Sequence, residues 1–278
     1  MTAIALALAA SLTWGAADFG GGLLTRRFPV VGVAAVSQAA GFLALLIVLA
    51  VTGASVHGEG FAIGMLAGAG GGFGLAAFYR ALAIGTVSIV APVAACGAVI
   101  PLVLSLIAGD SPRTAALIGA IVALSGAVMA SLEERAAEER GRRDAVTLAA
   151  ASAVLLGLFI YFFGRASQNG GALSALLGAR SGSLPLLLGW ALATRTPVVF
   201  GRNTAAVAAV GLMDVTANAL FALASRAGLL AIVSVAGSLY PVPTVVLGHL
   251  VLHERITAVQ RVGIAVALVG VVLVAANA

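Results

Sequence analysis

The chain has 278 residues, of which 62% are hydrophobic and 9% charged, with a formal net charge of +5 and a mean hydropathy of +1.15. A soluble domain carries about 25% charged residues, so these side chains cannot cover a water-facing surface. A soluble enzyme, a disulfide scaffold, a disordered chain and a nucleic-acid binder are excluded, and a polytopic helical membrane protein remains.

Taken in chain order, the apolar runs predict ten spans, at 2–22, 30–52, 60–80, 86–108, 112–131, 145–165, 170–193, 204–224, 228–250 and 257–276. Each is near the ~20 residues that cross a hydrocarbon core. The first run lacks a basic leading region and reads as a membrane helix, not a signal peptide. Polar breaks occur at 26–29, 55–60, 109–113, 167–171, 194–203 and 253–257. Two connections, near 81–85 and near 225–228, are very short and must join adjacent antiparallel helices. The one hydrophilic linker, 133–144, divides the chain into 1–132 and 145–278. Within it, Glu138→Arg142 and Glu139→Arg143 have helical i,i+4 spacing. The lone cysteine, Cys96, rules out an intrachain disulfide.

The halves resemble each other. Gly119 and Gly126 match Gly263 and Gly270 at a constant 144-residue offset, and LIGAIVALSGAVMA reads like RVGIAVALVGVVLV. A unit of five spans is odd, so a second copy enters the membrane from the opposite side. The expected fold is therefore an all-α bundle of ten transmembrane helices arranged as two inverted five-helix repeats. All fifteen basic residues are arginine. On the predicted boundaries, eleven of them, including Arg26, Arg27, Arg142 and Arg143, fall on one side, against Arg113, Arg165 and Arg226 on the other. The positive-inside rule then places both termini outside.

Several residue sets carry candidate functions. In the third span, Gly60, Gly64, Gly68 and Gly72 recur every four residues, with Gly70 and Gly74 beside them. They provide either static close packing or a surface on which helices rock, with Gly68 and Gly72 as hinge candidates. Pro92 and Pro101 in the fourth span and Pro241 and Pro243 in the ninth interrupt helices at corresponding places; Pro185 lies in the seventh. Charges within spans are few: Asp18, Arg180 and Asp214. A charge at mid-bilayer costs about 2.5–3.5 kcal/mol on insertion scales, so each should face the interior with a partner. An Arg180–Asp214 or Arg180–Asp18 pair would fix packing; alternatively, Arg180 receives a substrate carboxylate, or Asp18 or Asp214 exchanges a proton. Trp14, Gln38, Ser88, Asn218, Ser238 and Tyr240 complete a weakly charged cavity suited to a zwitterionic or apolar-bodied solute. Tyr79 and Tyr161, near helix ends, are expected at the lipid–water boundary.

Catalysis has little support. His249 and His253 are spaced i,i+4 with Glu254 adjacent, the basis of an alternative reading as an intramembrane metal enzyme. H-E-x-x-H and Walker A motifs are absent, and no cofactor or bound metal is expected. A third reading is a membrane assembly subunit that docks a partner on the third-span glycines.

Further motifs fall in a recognisable order. Ser11-Leu12-Thr13-Trp14-Gly15 lies in the first span. Tyr240-Pro241 in the ninth is followed by Leu252-His253-Glu254-Arg255-Ile256-Thr257 and then the Gly263/Gly270 helix. The chain resembles the EamA-type drug/metabolite transporter family over essentially its whole length; the first half departs from the turn motif with Gly109-Asp110-Ser111-Pro112-Arg113. The resemblance implies a secondary transporter in a bacterial-type inner (plasma) membrane, often an exporter of amino acids or other metabolites, working by alternating access through a cavity between the halves. The expected partners are a small-molecule substrate and the lipid bilayer, without nucleic acid, and a monomer is compatible with this. The resemblance places Arg180 where members carry an Arg in the second helix of a repeat; the first half has Ser37-Gln38 there. The related small multidrug exporters bind protons on a first-helix Glu, but here that region reads Thr13-Trp14-Gly15 with Asp18 a turn later, so their mechanism does not carry over. The resemblance also implies cytoplasmic termini, the reverse of the arginine distribution.

Overall fold

The computed structural model describes residues 1–85, 90, 93–94, 96–130, 139–198, 201–252 and 257–277. Among these every regular element is helical: α1 (Thr2–Thr25), α2 (Val30–Thr52), α3 (Gly58–Ile84), α4 (Val99–Ile107, entered through a 3-10 turn at Cys96–Ala98), α5 (Thr114–Ala130), α6 (Glu139–Gly170), α7 (Ala172–Ala193), α8 (Thr204–Ala227), α9 (Leu230–Gly237), α10 (Pro241–Leu252) and α11 (Ala258–Asn277). Seven segments are long and apolar enough to cross a membrane, with α9 and α10 counted as one; Cys96–Ile107, Thr114–Met129 and Ala258–Val274 are shorter apolar helices. The protein is a multi-pass membrane protein. Ser88, Pro92, His253 and Glu254 lie outside the described residues.

The structure specifies two of the expected breaks more closely than the sequence does, for identifiable reasons. The break expected at 167–171 shrinks to one residue, Gly171. It adopts φ +86, a left-handed region open to glycine, which reverses the chain between α6 and α7. The ninth span, expected to be interrupted by Pro241 and Pro243, divides into α9 and α10 at residues 238–240. Pro241 occupies the first position of α10, where its missing N–H goes unused. All three residues of the break are buried, which satisfies the requirement that irregular backbone at membrane depth be enclosed by protein. Pro101, expected to kink a helix, sits in the first turn of α4, where proline is likewise tolerated.

The glycines set the packing. A methyl group on Gly68 would stand 2.0 Å from the carbonyl oxygen of Ala179, one on Gly64 2.5 Å from that of Ala175, and one on Gly72 2.9 Å from Ser183 Cβ. The four-residue glycine repeat of α3 thus meets a four-residue repeat on α7, backbone against backbone. The surface read as a possible docking face is covered by the chain's own helix. α3 also packs on α6, while α8 packs on α1 and α2, so each of these two helices is enclosed by a pair from the other half. Contacts recur reciprocally. A methyl on Gly126 would lie 2.2 Å from the amide nitrogen of Ala267, and one on Gly270 2.2 Å from that of Ala123. Both residues of the second pair stand 144 positions from their counterparts. Along α5 and α11, Gly119 faces Gly270 and Gly126 faces Gly263, so the two helices run antiparallel. Asp110, between α4 and α5, accepts a hydrogen bond from the Ala231 N–H in the first turn of α9 at 2.9 Å, capping a helix of the other half.

Candidate functional site

Four helices bring the intramembrane charges together. Arg180 projects from the middle of α7 and is 4% exposed. Its Nη2 donates to Asp214 Oδ2 of α8 at 2.7 Å, and its Nη1 donates to Gln38 Oε1 of α2. Gln38 Oε1 also accepts from the Ser183 hydroxyl at 2.8 Å, and Gln38 Nε2 donates to Asp214 Oδ2 at 3.4 Å. Asn218, one turn after Asp214, donates to its Oδ1 at 3.2 Å and to its backbone carbonyl at 2.7 Å. A buried ion pair is tolerated when added hydrogen bonds satisfy its remaining donors and acceptors; Gln38 and Asn218 supply most of them, Ser183 holds Gln38 in place, and Arg180 Nε is left without a partner among the described residues. Glycine makes room for the guanidinium: a methyl on Gly41 would lie 3.4 Å from Arg180 Nε. Of the two expected pairings, the structure has Arg180 with Asp214.

Asp18 is different. It is 8% exposed, yet makes no hydrogen bond or ion pair among the described residues. It lines the central cavity and also a small second cleft, which runs past Gly22 and Thr244 to Arg26 at the end of α1. The neighbouring α1–α10 contact is tight. A methyl on Gly15 would stand 2.5 Å from Pro243 Cγ and 2.7 Å from the Tyr240 carbonyl oxygen. The Thr244 hydroxyl reaches both the Tyr240 carbonyl, at 2.9 Å, and that of Gly15, at 3.2 Å.

These groups contribute to the lining of a central cavity. The space open to the centre of a water molecule is about 70 Å³; one water needs roughly 10–15 Å³ on that measure, so the chamber accommodates several waters or a small organic body. Trp14, Asp18, Gln38, Arg180, Asp214, Asn218, Tyr240, Gly68 and Gly72, all singled out from sequence, line it. The rest of the lining was missed by the sequence reading: apolar Leu75, Leu156, Phe159 and Ile160, together with Gly71, Ala179 and Ser183. Trp14 leans on Phe221 with ring centroids 5.4 Å apart, and Tyr240 meets Phe78 edge-on at 6.2 Å.

Other candidates sit elsewhere. Ser238 is buried in the α9–α10 break and does not line the chamber; its hydroxyl has no partner among the described residues. Tyr79, expected at the lipid boundary, is 1% exposed. Its ring fills the space left by Gly21, where a methyl would come within 2.3 Å of it. Pro101 lies in α4, outside the chamber, and Pro241 flanks it through Tyr240. His249 is exposed in the last turn of α10. No group of three or more His, Cys, Asp or Glu side chains with metal-binding spacing occurs among the described residues.

A sequence model of the EamA-like transporter family matches residues 1–132 and 144–276, nearly the whole chain in two copies. The chain belongs to the EamA-like transporter family. A crystal structure of a protein superposes over 98% of this EamA-like chain and 95% of its own length, with a TM-score of 0.75 at 17% identity. At that identity the likeness bears on the fold alone. Among curated proteins, none matches the sequence. Membership identifies the chain as a small-molecule transporter of the membrane.

Proposed function

We propose that this EamA-like protein is a secondary transporter of small organic metabolites, exporting or exchanging amino acids or related solutes by alternating access in a bacterial-type inner membrane. Its architecture on this reading is ten spans in two inverted five-helix repeats, 1–132 and 145–278, joined by the linker 133–144. The reciprocal Gly126–Ala267 and Gly270–Ala123 contacts support that arrangement, because equivalent helices meeting antiparallel are what a two-fold axis in the membrane plane produces. Gln38 and Arg180, 142 residues apart and hydrogen-bonded to each other, occupy near-equivalent places on either side of it.

The observation that carries the proposal is the chamber itself. It is walled by helices of both halves and lined both by an ion-pair network and by aromatic and aliphatic side chains. A solute with an apolar body would lie on Trp14, Phe159 and Tyr240. Its polar groups would exchange hydrogen bonds with Arg180, Gln38, Ser183 and Asn218, loosening the link between α2, α7 and α8. The close α3–α7 seam at Gly68 and Gly72 and the interrupted helix at Pro241 are the elements about which the halves would rock. Asp18, buried and without a partner among the described residues, is the favoured coupling site, and Asp214, held by Arg180, is the second candidate.

Uptake of labelled amino acids into proteoliposomes, with and without a pH gradient, tests this. Saturable flux accelerated by the gradient is expected, and Asp18→Asn should abolish the acceleration without loss of folded protein. Absence of saturable flux for every amino acid removes that substrate class; an unchanged response in both Asp18→Asn and Asp214→Asn removes proton coupling through these residues.

A further inference from the structure

On the outer side of the α3–α6 seam lies an open apolar groove, larger than the chamber and lined by Leu66 and Gly70 of α3 and by Leu158, Phe159, Phe162 and Arg165 of α6. Leu66 and Phe162 are exposed, so in a membrane the groove faces lipid. Phe159 belongs to both cavities, and its side chain is the partition between them. The partition is thin. A methyl on Gly71 would stand 2.7 Å from Phe159 Cδ2, so the ring rests on bare backbone. An aromatic row leads inward from it: Phe159 stacks on Phe163 at 5.2 Å, Phe163 on Phe221 at 6.4 Å, and Phe221 meets Trp14 at 5.4 Å. At the polar end of the groove, Arg165 donates to the neutral Gln168 Oε1, at 3.4 Å. Among the described residues no carboxylate pairs with it; Glu59 is held instead by Asn169, which also lines the groove, so the hydrogen-bond partner of the guanidinium is neutral.

We propose that this seam is a side entrance to the chamber for bilayer-dissolved organic acids with an apolar body. Arg165 receives the acidic head, the groove holds the body, and rotation of Phe159 over Gly71 admits it. Charge complementarity selects the head group, and the row from Phe159 to Trp14 gives an apolar body continuous contact on its way in. The inference rests on the transport reading only for the fate of the acid once it has reached the chamber.

The test uses binding, so it stands apart from flux. The chain has two tryptophans; Trp190→Phe leaves Trp14, in the chamber, as the sole reporter. In nanodiscs, 11-bromoundecanoate is expected to quench Trp14 saturably. A methyl on Gly70 meets nothing within 4 Å, so Gly70→Phe starts its side chain without a backbone clash and places the ring in the groove that Gly70 lines. That variant should weaken the apparent affinity about ten-fold. Arg165→Gln, a variant independent of groove packing, should weaken it several-fold, and Phe159→Ala should strengthen quenching. Acrylamide quenching of Trp14, which reports access through water, should be the same in all variants. Absence of quenching by the acid, equal quenching in the Gly70→Phe and Arg165→Gln variants, or equal quenching by a brominated phosphatidylcholine, which would mean a lipid tail fills the space, overturns the proposal. Quenching without any flux would instead overturn the transport reading and leave the entrance in place.

Discussion

At the scale of single residues, the Arg180–Asp214 pair illustrates how a membrane interior makes charges visible in a sequence. Only three charged residues fall well inside the predicted spans, and a mid-bilayer charge is too costly to stand alone, so their pairing is legible from the sequence. Gln38 and Asn218 are legible for the same reason, as large polar groups on apolar helices. Ser183 is not, since serines are scattered along many of these spans and mostly return a hydrogen bond to their own helix. Leu75, Leu156, Phe159 and Ile160 are illegible because a chamber wall and a lipid-facing surface select the same side chains. The pair also makes a prediction. Arg180→Ala leaves the Asp214 carboxylate without its counter-charge in a buried site, a change that costs about 3–5 kcal/mol for buried pairs. Arg180→Met combined with Asp214→Leu removes both charges and replaces them with apolar volume. Thermal unfolding in detergent should therefore show the single variant less stable than the double, while neither transports. If the double variant proves less stable than the single, the pair is a net contributor to folding and not a polar site retained at a cost to stability.

At the scale of elements, the helices are readable from run length, and their ends are not. The reversal at Gly171 is narrower than the sequence suggests because polar residues 167–169 look like loop, whereas they complete the last turn of α6 and bond outward. Asn169 donates to Glu59 at 3.1 Å, and Gln168 donates to the Ser225 carbonyl at 2.8 Å. Pro241 and Pro243 announce an interruption between α9 and α10 but not its form: a proline at the first position of a new helix and one in the middle of a kinked helix look alike in sequence. The α3 glycines suit either fixed packing or a moving surface, and the contacts give each a different weight. Gly68 abuts the α7 backbone so closely that no side chain fits. Gly189, also within a helix, has nothing within 4 Å of an added methyl. Gly68→Ala should therefore lower stability by about 1–3 kcal/mol through overpacking, while Gly189→Ala should be neutral or stabilising by up to about 1 kcal/mol, since alanine restricts the unfolded chain. Equal unfolding midpoints for the two variants would mean that the α3–α7 seam opens freely enough to absorb a methyl group, and would favour a sliding surface over a fixed one.

At the scale of the whole molecule, the arrangement of helices makes the halves interdependent. α3 finds its partners, α6 and α7, beyond the linker, and α8 finds α1 and α2 before it. Neither half encloses the chamber alone, because Gln38 comes from the first and Arg180 and Asp214 from the second. The proposed reading, ten spans in two inverted five-helix repeats, fixes where the linker must lie. With ten spans, residue 138 falls after the fifth crossing and residue 278 after the tenth, so the two positions are on opposite sides of the membrane. Alkaline phosphatase, active only outside the cytoplasm, and green fluorescent protein, fluorescent only within it, report the side when fused after each position. Opposite answers at 138 and 278 are expected. The answer at 278 also decides between the arginine distribution, which puts the C-terminus outside, and the family expectation, which puts it in the cytoplasm. The same answer at both positions would require an even number of crossings in the second half. The reciprocal contacts of α5 and α11 would then have to arise without inversion, and the two-fold axis on which alternating access depends would be lost.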